Sequence, residues 1–231
     1  MLKLSKRLTA AAQLLRGGLT VDIGTDHAYL PAFLVQSGKC ERCIASDIGR
    51  GPLLNAAKTV ENCGLEDRIE LRLSDGLNEI SPDEAEEIAI CGMGGNLIEE
   101  ILTAAPWVKR EGMHLCLQPM THFENVRAYL FSNGFEIGKE TVCFDEGRFY
   151  LTVSADYTGF VPEKNPGREY FGDTPFADEG FCALSARTYK RIKTRLDSIK
   201  KVGRFPQEQE ILSAAVLYYE RMKNNDGTGN L

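Results

Sequence analysis

Seven short runs of apolar, β-favouring residues constrain the fold of this chain more than any other feature. They are Leu19 to Ile23, Cys43 to Asp47, Arg68 to Leu73, Glu87 to Cys91, Met113 to Gln118, Phe135 to Phe144 and Arg148 to Ala155. Patterns of helical period separate the first six, so these strands are expected to run parallel, joined by right-handed crossovers. Only Asp145, Glu146 and Gly147 separate the last two, which calls for an antiparallel hairpin. The expected fold is a doubly wound α/β sheet of six parallel strands and one antiparallel strand, which departs from the plain nucleotide-binding pattern.

The sheet text stops near residue 160. From Gly159 to Pro175 the chain turns to Gly, Pro, Asn and charged residues, a linker signature. Beyond it, Leu184, Tyr189, Ile192, Leu196 and Ile199 recur at helical spacing, as do Ile211, Ala215, Tyr218 and Met222. The expected organisation is therefore a sheet domain over 1–160 and, over 161–231, a linker with a C-terminal antiparallel helical hairpin. The polar tail from Asn224 to Asn230 is expected to be disordered.

No stretch approaches the roughly 18 apolar residues that cross a bilayer, and residues 1 to 16 lack the apolar run of a signal peptide. A cytoplasmic protein without membrane partners is expected. Its seven cysteines suit reduced thiols packed in a core better than a disulfide framework. Cys40-Glu41-Arg42-Cys43 could form half of a zinc site, but no second matched pair follows, so no metal is expected. The net charge of −6 hides an uneven distribution. Residues 1–16 sum to +4 and residues 187–204 to +7, leaving −17 for the rest. An acidic body with two basic segments can still hold a polyanion on one face. Lys6 and Arg7 in the first segment, and Lys190, Arg191, Lys193 and Arg195 in the second, are the candidate phosphate contacts. Both segments also read as solvated helix faces.

The chemistry concentrates where strands end. After the first strand comes Asp22-Ile23-Gly24-Thr25-Asp26-His27-Ala28-Tyr29, in which Gly24 suits a sharp strand-to-helix turn. A dinucleotide's pyrophosphate wants further glycines here, but Asp26 and Ala28 stand in those places. Carboxylates at such a turn repel an anion and attract a cation. Asp22 and Asp26 therefore favour S-adenosylmethionine, with its sulfonium and ammonium groups, over NAD, although both also suit caps of the next helix. Asp47 closes the second strand 23 positions beyond Gly24, where a carboxylate can accept both ribose hydroxyls, with Ile48 beside it. Asp75-Gly76 follows the third strand, and reads either as a contact for an adenine amino group or as a plain turn.

Cys91-Gly92-Met93-Gly94-Gly95 follows the fourth strand, and its glycines imply close backbone approach or positive φ beside the ligand crevice. A flexible turn into the next helix is the simpler alternative. Gln118 and Pro119 close the fifth strand, and a stiffened Gln118 could read a base edge. His27 and Tyr29 lie close enough to the turn to reach a transferred group, although Tyr29 also suits the core; His114 and His122 read as structural.

With these residues assembled, the chain resembles the bacterial tRNA (adenine(22)-N1)-methyltransferase family across nearly its whole length. The resemblance rests on Leu4-Ser5-Lys6-Arg7-Leu8, on Asp22 through Pro31, on Asp75-Gly76, on Gly92 through Gly95, on Leu117-Gln118-Pro119 and on the helical C-terminal extension. It implies a Rossmann-like class I methyltransferase sheet, S-adenosylmethionine as cofactor, tRNA as partner and methyl transfer to N1 of adenosine 22. The cofactor would be held by Asp22, Gly24, Asp26, His27, Asp47, Ile48, Asp75, Gly76 and Gly92. The target base would meet Tyr29, Gly92, Met93, Gly94, Gly95, Gln118 and Pro119. Met120 departs from the family pattern, which carries a polar Asn there. A monomer is the expectation, with the oligomeric state open. Three other readings stay open: a methyltransferase acting on a small molecule or a protein, an NAD-dependent enzyme, and a non-catalytic module that binds through its helical hairpin.

Overall fold

The computed structural model describes residues 2–226. Helix α1 (Lys6–Leu14), capped by the Ser5 hydroxyl, precedes the sheet. The chain then alternates β1 (Thr20–Ile23), α2 (Tyr29–Gln36), β2 (Cys43–Asp47), α3 (Arg50–Cys63), β3 (Ile69–Leu73), β4 (Glu87–Met93), α4 (Gly95–Ala104), β5 (His114–Pro119) and α5 (Phe123–Ser132). It ends in β6 (Phe135–Asp145), β7 (Arg148–Tyr157), α6 (Pro166–Phe171), α7 (Glu179–Val202) and α8 (Pro206–Asp226). Among the described residues the strands form one sheet in the order β3-β2-β1-β4-β5-β7-β6. Neighbours from β3 through β5 pair parallel, and β7 runs antiparallel to both β5 and β6. Six strands thus share one direction and β7 opposes them, as the spacing of apolar runs predicts. The order reverses between β1 and β4, so the crevice for a ligand lies at their C-terminal ends.

The sheet is sealed on both faces because its central strands are apolar on both. On one face Ile98 and Leu102 of α4 and Val126 and Leu130 of α5 pack on Ile88, Ile90, Leu115 and Leu117. On the other, Ala11, Ala12 and Leu15 share a core with Leu30 and Leu34 of α2, Ala45, Ala89 and Cys116. Small residues there let α1 lie close to the strands. The β6–β7 turn is a two-residue hairpin, Glu146–Gly147, with φ of +45° and +78°. Positive φ at both central positions matches the twist of the strands it joins.

Four sequence expectations change. Residues 74–86, expected to be helical, carry only a 3₁₀ turn at Pro82–Glu84. Local side-chain bonds compete with a helix there: Ser74 Oγ donates to the Gly76 carbonyl and accepts from Glu79 N. The linker segment contains α6, started by Asn165 as N-cap and Pro166 at the first helical position. Leu212, Val216 and Tyr219 of α8 are buried beside the expected Ala215, so the apolar face lies one residue on from Ile211 and Tyr218. Asn224 and Asn225 continue α8, while 227–230 of the expected disordered tail lie outside the described residues.

A third core joins α6, α7 and α8 through Phe171, Ile192, Leu196, Ile199, Ala215 and Tyr219. Arg127 of α5 is one tie to the sheet domain, beside the Arg191–Glu124 pair and Phe181 of α7, which is buried in the sheet core. Arg127 Nε donates to Glu140 Oε1 of β6 at 2.7 Å, and Nη1 donates to the carbonyls of Glu169 and Tyr170 in α6 at 3.3 and 3.1 Å. With side chains 3% and 7% exposed, this is a buried pair whose guanidinium is spread over three acceptors. No helix among the described residues is long and apolar enough to cross a membrane.

Candidate active site

The turn after β1 is built around left-handed backbone. Gly24, Asp26 and Ala28 have φ of +72°, +51° and +52°, so the two residues that replace glycines keep a glycine-like conformation. For a non-glycine residue this conformation costs about 1–2 kcal/mol and persists only where surroundings enforce it. The enforcement is visible: Gly24 N and Thr25 N both donate to the Ser46 carbonyl of β2, at 2.8 and 2.9 Å. A Cβ at Gly24 would overlap Met93 Cε, so the end of β4 closes directly over this turn.

Three carboxylates surround it. Asp47 is buried at the end of β2, accepting from Gly49 N at 2.9 Å and Asp26 N at 3.3 Å. Each of its oxygens keeps acceptor capacity for a further donor. Asp22 is buried in β1, and burial pushes its carboxyl up to about 7; the Thr25 hydroxyl and the Arg7 guanidinium hold it from rising further, while the Asp47 carboxylate adds to the rise. Asp26 is exposed, with His27 Nε2 at 3.7 Å from its Oδ2. The His27 ring stacks on Tyr29 at 5.1 Å with planes 8° apart, and both are partly exposed, so Tyr29 is not a core residue. A cavity of about 130 Å³ sits against Arg7, Asp22, Gly24, Asp26, Tyr29 and Cys91. Ile48 is 68% exposed beside Asp47, and Asp75 is exposed next to Gly76 at φ +55° beyond β3.

The glycines after β4 satisfy both implications of their sequence. Gly92, at φ +84°, sits in an irregularity where the register passes from Cys91↔Gln118 to Met93↔Pro119. The strand thus continues through this bulge to Met93 rather than ending at Cys91. A Cβ at Gly95 would overlap the His122 carbonyl oxygen, because Gly95 N donates to the Thr121 carbonyl at 2.9 Å. Gly94 caps α4 between them. Met120 N donates to the Met93 carbonyl at 2.8 Å, which carries the pairing past the buried Pro119.

Gln118 does not read a base edge. Its side chain is 0% exposed, and its amide donates to the Arg7 carbonyl and to Thr152 Oγ1, both at 2.8 Å. Its oxygen accepts from Arg7 Nη1 at 3.2 Å. Both amide hydrogens are spent, so Gln118 anchors α1 and aims Arg7 toward Gly92 and Asp22. Arg7 N is held by Asp145 Oδ2 at 3.3 Å, and its guanidinium lies 5.9 Å from the Tyr150 ring centroid. The sequence marks Arg7 as basic but gives no sign of these partners, because they lie more than a hundred residues away.

The basic helix α7 is also less open than its sequence implies. Arg191 makes a bidentate pair with Glu124 at 3.0 Å, Arg195 pairs with both oxygens of Glu208 at 2.7 and 2.9 Å, and Lys193 lies 3.6 Å from Asp197. Lys190 and Lys6 are exposed and make no ion pair among the described residues. His114 is buried between Asp156 and the Leu14 carbonyl, as a structural residue should be, whereas His122 is exposed at the start of α5. All seven cysteines are free, and no cluster of metal-binding groups occurs among the described residues.

Residues 4–153 match the family described as a methyltransferase domain. The tRNA (adenine(22)-N(1))-methyltransferase of Bacillus subtilis (strain 168) is 39% identical over 156 residues, which cover 67% of this chain and 66% of that protein. The match thus spans just under two thirds of that relative's length. The solved tRNA methyltransferase TrmK of B. subtilis superposes with a TM-score of 0.79 at 29% identity, covering 96% of this chain and 97% of that one. A Streptococcus pneumoniae protein solved in complex with S-adenosyl-L-methionine gives a TM-score of 0.79 at 27% identity, covering 95% of this chain and 99% of the other. Sheet order, the turn after β1 and these likenesses agree: the chain belongs to the methyltransferase domain family.

Proposed function

We propose that this protein is an S-adenosylmethionine-dependent methyltransferase that modifies N1 of adenosine 22 in tRNA. The observation that carries the reading is the turn of Gly24, Asp26 and Ala28, held left-handed against β2 and flanked by Asp22 and Asp47. It leaves the backbone open to a ligand as a glycine loop does, yet surrounds that ligand with carboxylates, which suits a cationic cofactor and disfavours a pyrophosphate. The B. subtilis relative's activity and the pneumococcal protein's ligand support the same choice.

In this reading Asp47 accepts ribose hydroxyls with its remaining lone pairs, and Ile48 and the Asp75–Gly76 turn flank the adenine. Asp26 places negative charge beside the amino-acid end, and Asp22, raised by burial to about 7, shares its proton there at neutral pH. When bound, S-adenosylmethionine supplies an electrophilic methyl group on sulfur. Adenine N1 carries a lone pair at neutral pH, so the protein need not remove a proton; its task is alignment, which supplies on the order of 7 kcal/mol or more. N1 must first leave its stack, at a cost of a few kcal/mol. Tyr29 and Gly92–Gly94 line the approach, the buried Gly95 and Pro119 lie behind it, Met93 fixes its floor, and Arg7 is placed at its rim by Gln118. The sheet segment to residue 160 does the chemistry, and the remainder helps to hold RNA. Seven free cysteines and a tRNA substrate support a site of action in the cytoplasm.

The test is methylation of unmodified tRNA with labelled cofactor, followed by nucleoside mass spectrometry and mapping of the modified position. Label in N1-methyladenosine at position 22 is expected. Label elsewhere, or a thermal shift with NAD and none with S-adenosylmethionine, overturns the reading.

A further inference from the structure

A second cavity lies beside the cofactor turn rather than on it. It measures about 690 Å³ and is walled by three elements: Met120–Phe123 after β5, Arg148 and Phe149 at the start of β7, and Leu184, Arg187 and Arg191 along α7. The first wall is shared with the candidate active site, since Met120 N and Gly95 N bond across to the Met93 and Thr121 carbonyls. A single loop therefore separates the cleft from the place where a target base would sit.

The charge of the cleft is one-sided. Arg148 and Arg187 are exposed, and neither makes an ion pair among the described residues. Glu124, the next residue beyond this wall, is spent on Arg191 and lies 3.9 Å from His122. Asp145, at the hairpin, accepts from Arg7 N. Glu146 at the turn is exposed to solvent. The Arg187 guanidinium lies 5.6 Å from the Phe149 ring centroid, and Phe144, 52% exposed, sits 5.0 Å from the same ring. Two guanidiniums with no acid partner, the exposed ring of Phe144 and the half-buried ring of Phe149 form the combination that single-stranded nucleic acid uses: phosphates on the cations, a base on the π-face.

We propose that this cleft is a subsite for the RNA nucleotides that flank the methylated adenosine, with Phe149 stacking a base and Arg148 and Arg187 holding its phosphates. The proposal rests on the RNA-methylating reading above and deepens it. It moves the principal RNA contact from the 190–195 stretch of α7, where three of four cations are paired within the protein, to the face where cations have no such partner. An unstacked adenosine needs its neighbours held, and a site one loop away can hold them.

The experiment compares wild type with Arg148→Glu/Arg187→Glu, with the milder Arg148→Ala/Arg187→Ala, and with Phe149→Ala. The probe is an unmodified tRNA transcript, followed by fluorescence anisotropy at several salt concentrations and by steady-state methylation. Cofactor affinity by calorimetry and melting temperature check that each variant is folded. The expected result is a rise of at least tenfold in tRNA Kd and KM for the charge reversal, with cofactor Kd within twofold. The alanine pair should flatten the salt dependence by about two phosphate contacts. Phe149→Ala should weaken binding and leave the salt slope unchanged. Wild-type tRNA affinity and salt slope in the charge-reversed protein overturn the proposal, as does wild-type protein that binds no tRNA. Binding that is lost in the variants, from a wild type that binds tRNA but does not methylate it, upholds the subsite while removing the proposed activity.

Discussion

Asp22 and Asp47 lie on adjacent strands, yet folding treats them differently. Asp47 has two backbone N–H donors, whereas burial pushes Asp22 up to about 7 from an ordinary 3.8. An acid whose folded value is raised binds its proton more tightly in the folded state. Its favourable contribution is complete below about pH 4 and is lost as the pH climbs through about 7. Asp22→Asn, which is always neutral, should therefore gain on wild type between pH 5 and pH 8, by roughly 3 kcal/mol in urea unfolding. A difference that does not vary with pH would show that Asp22 is charged throughout. These two carboxylates and Gly24 are legible in the sequence because strand-end spacing is a local property. Left-handed backbone at Asp26 and Ala28 is legible only by analogy with glycines, since neither residue type demands it.

At the scale of elements, α1 is the part whose role is hidden in the sequence. It looks like a basic N-terminal segment, but its alanine face packs on the sheet and Gln118 grips its first turn. Gln118→Ala should leave the Thr152 hydroxyl and the Arg7 carbonyl without this partner, costing about 2–3 kcal/mol in urea unfolding and raising amide exchange through α1. Full stability with abolished turnover would return Gln118 to a role against the base. Strands were predictable to within one or two residues because apolar runs bounded by turns carry their own ends. The missing helix after β3 was not, since Ser74 outcompetes it through contacts that no periodicity records. Nor was α6, where Pro and Asn mark a helix start as readily as a linker.

For the whole molecule, Arg127 is a buried junction between sheet and C-terminal helices, beside the Arg191–Glu124 pair and Phe181. Arg127→Met removes the partner of a buried Glu140 and frees two α6 carbonyls, and should cost about 3–5 kcal/mol. Limited proteolysis should then cut near 160–178 before the sheet is lost; unchanged cleavage would show that the Arg191–Glu124 pair and the packing of Phe181 hold the helices without Arg127. Charge was legible only in sum. The excess of cations on α7 is plain in the sequence, but which of them meet Glu124, Glu208 or Asp197 depends on how the hairpin folds back.

The β6–β7 hairpin has a consequence at this scale. Asp145, on one side of its two-residue turn, holds the backbone of α1, and Arg148, on the other side, opens onto the large cleft. Three peptide units therefore link the helix whose Arg7 and Leu8 line the donor pocket to the wall that would grip the acceptor. In the proposed reading, tRNA bound at that wall is therefore expected to change cofactor affinity, and an equal cofactor Kd with and without saturating tRNA would show that the hairpin carries no such coupling.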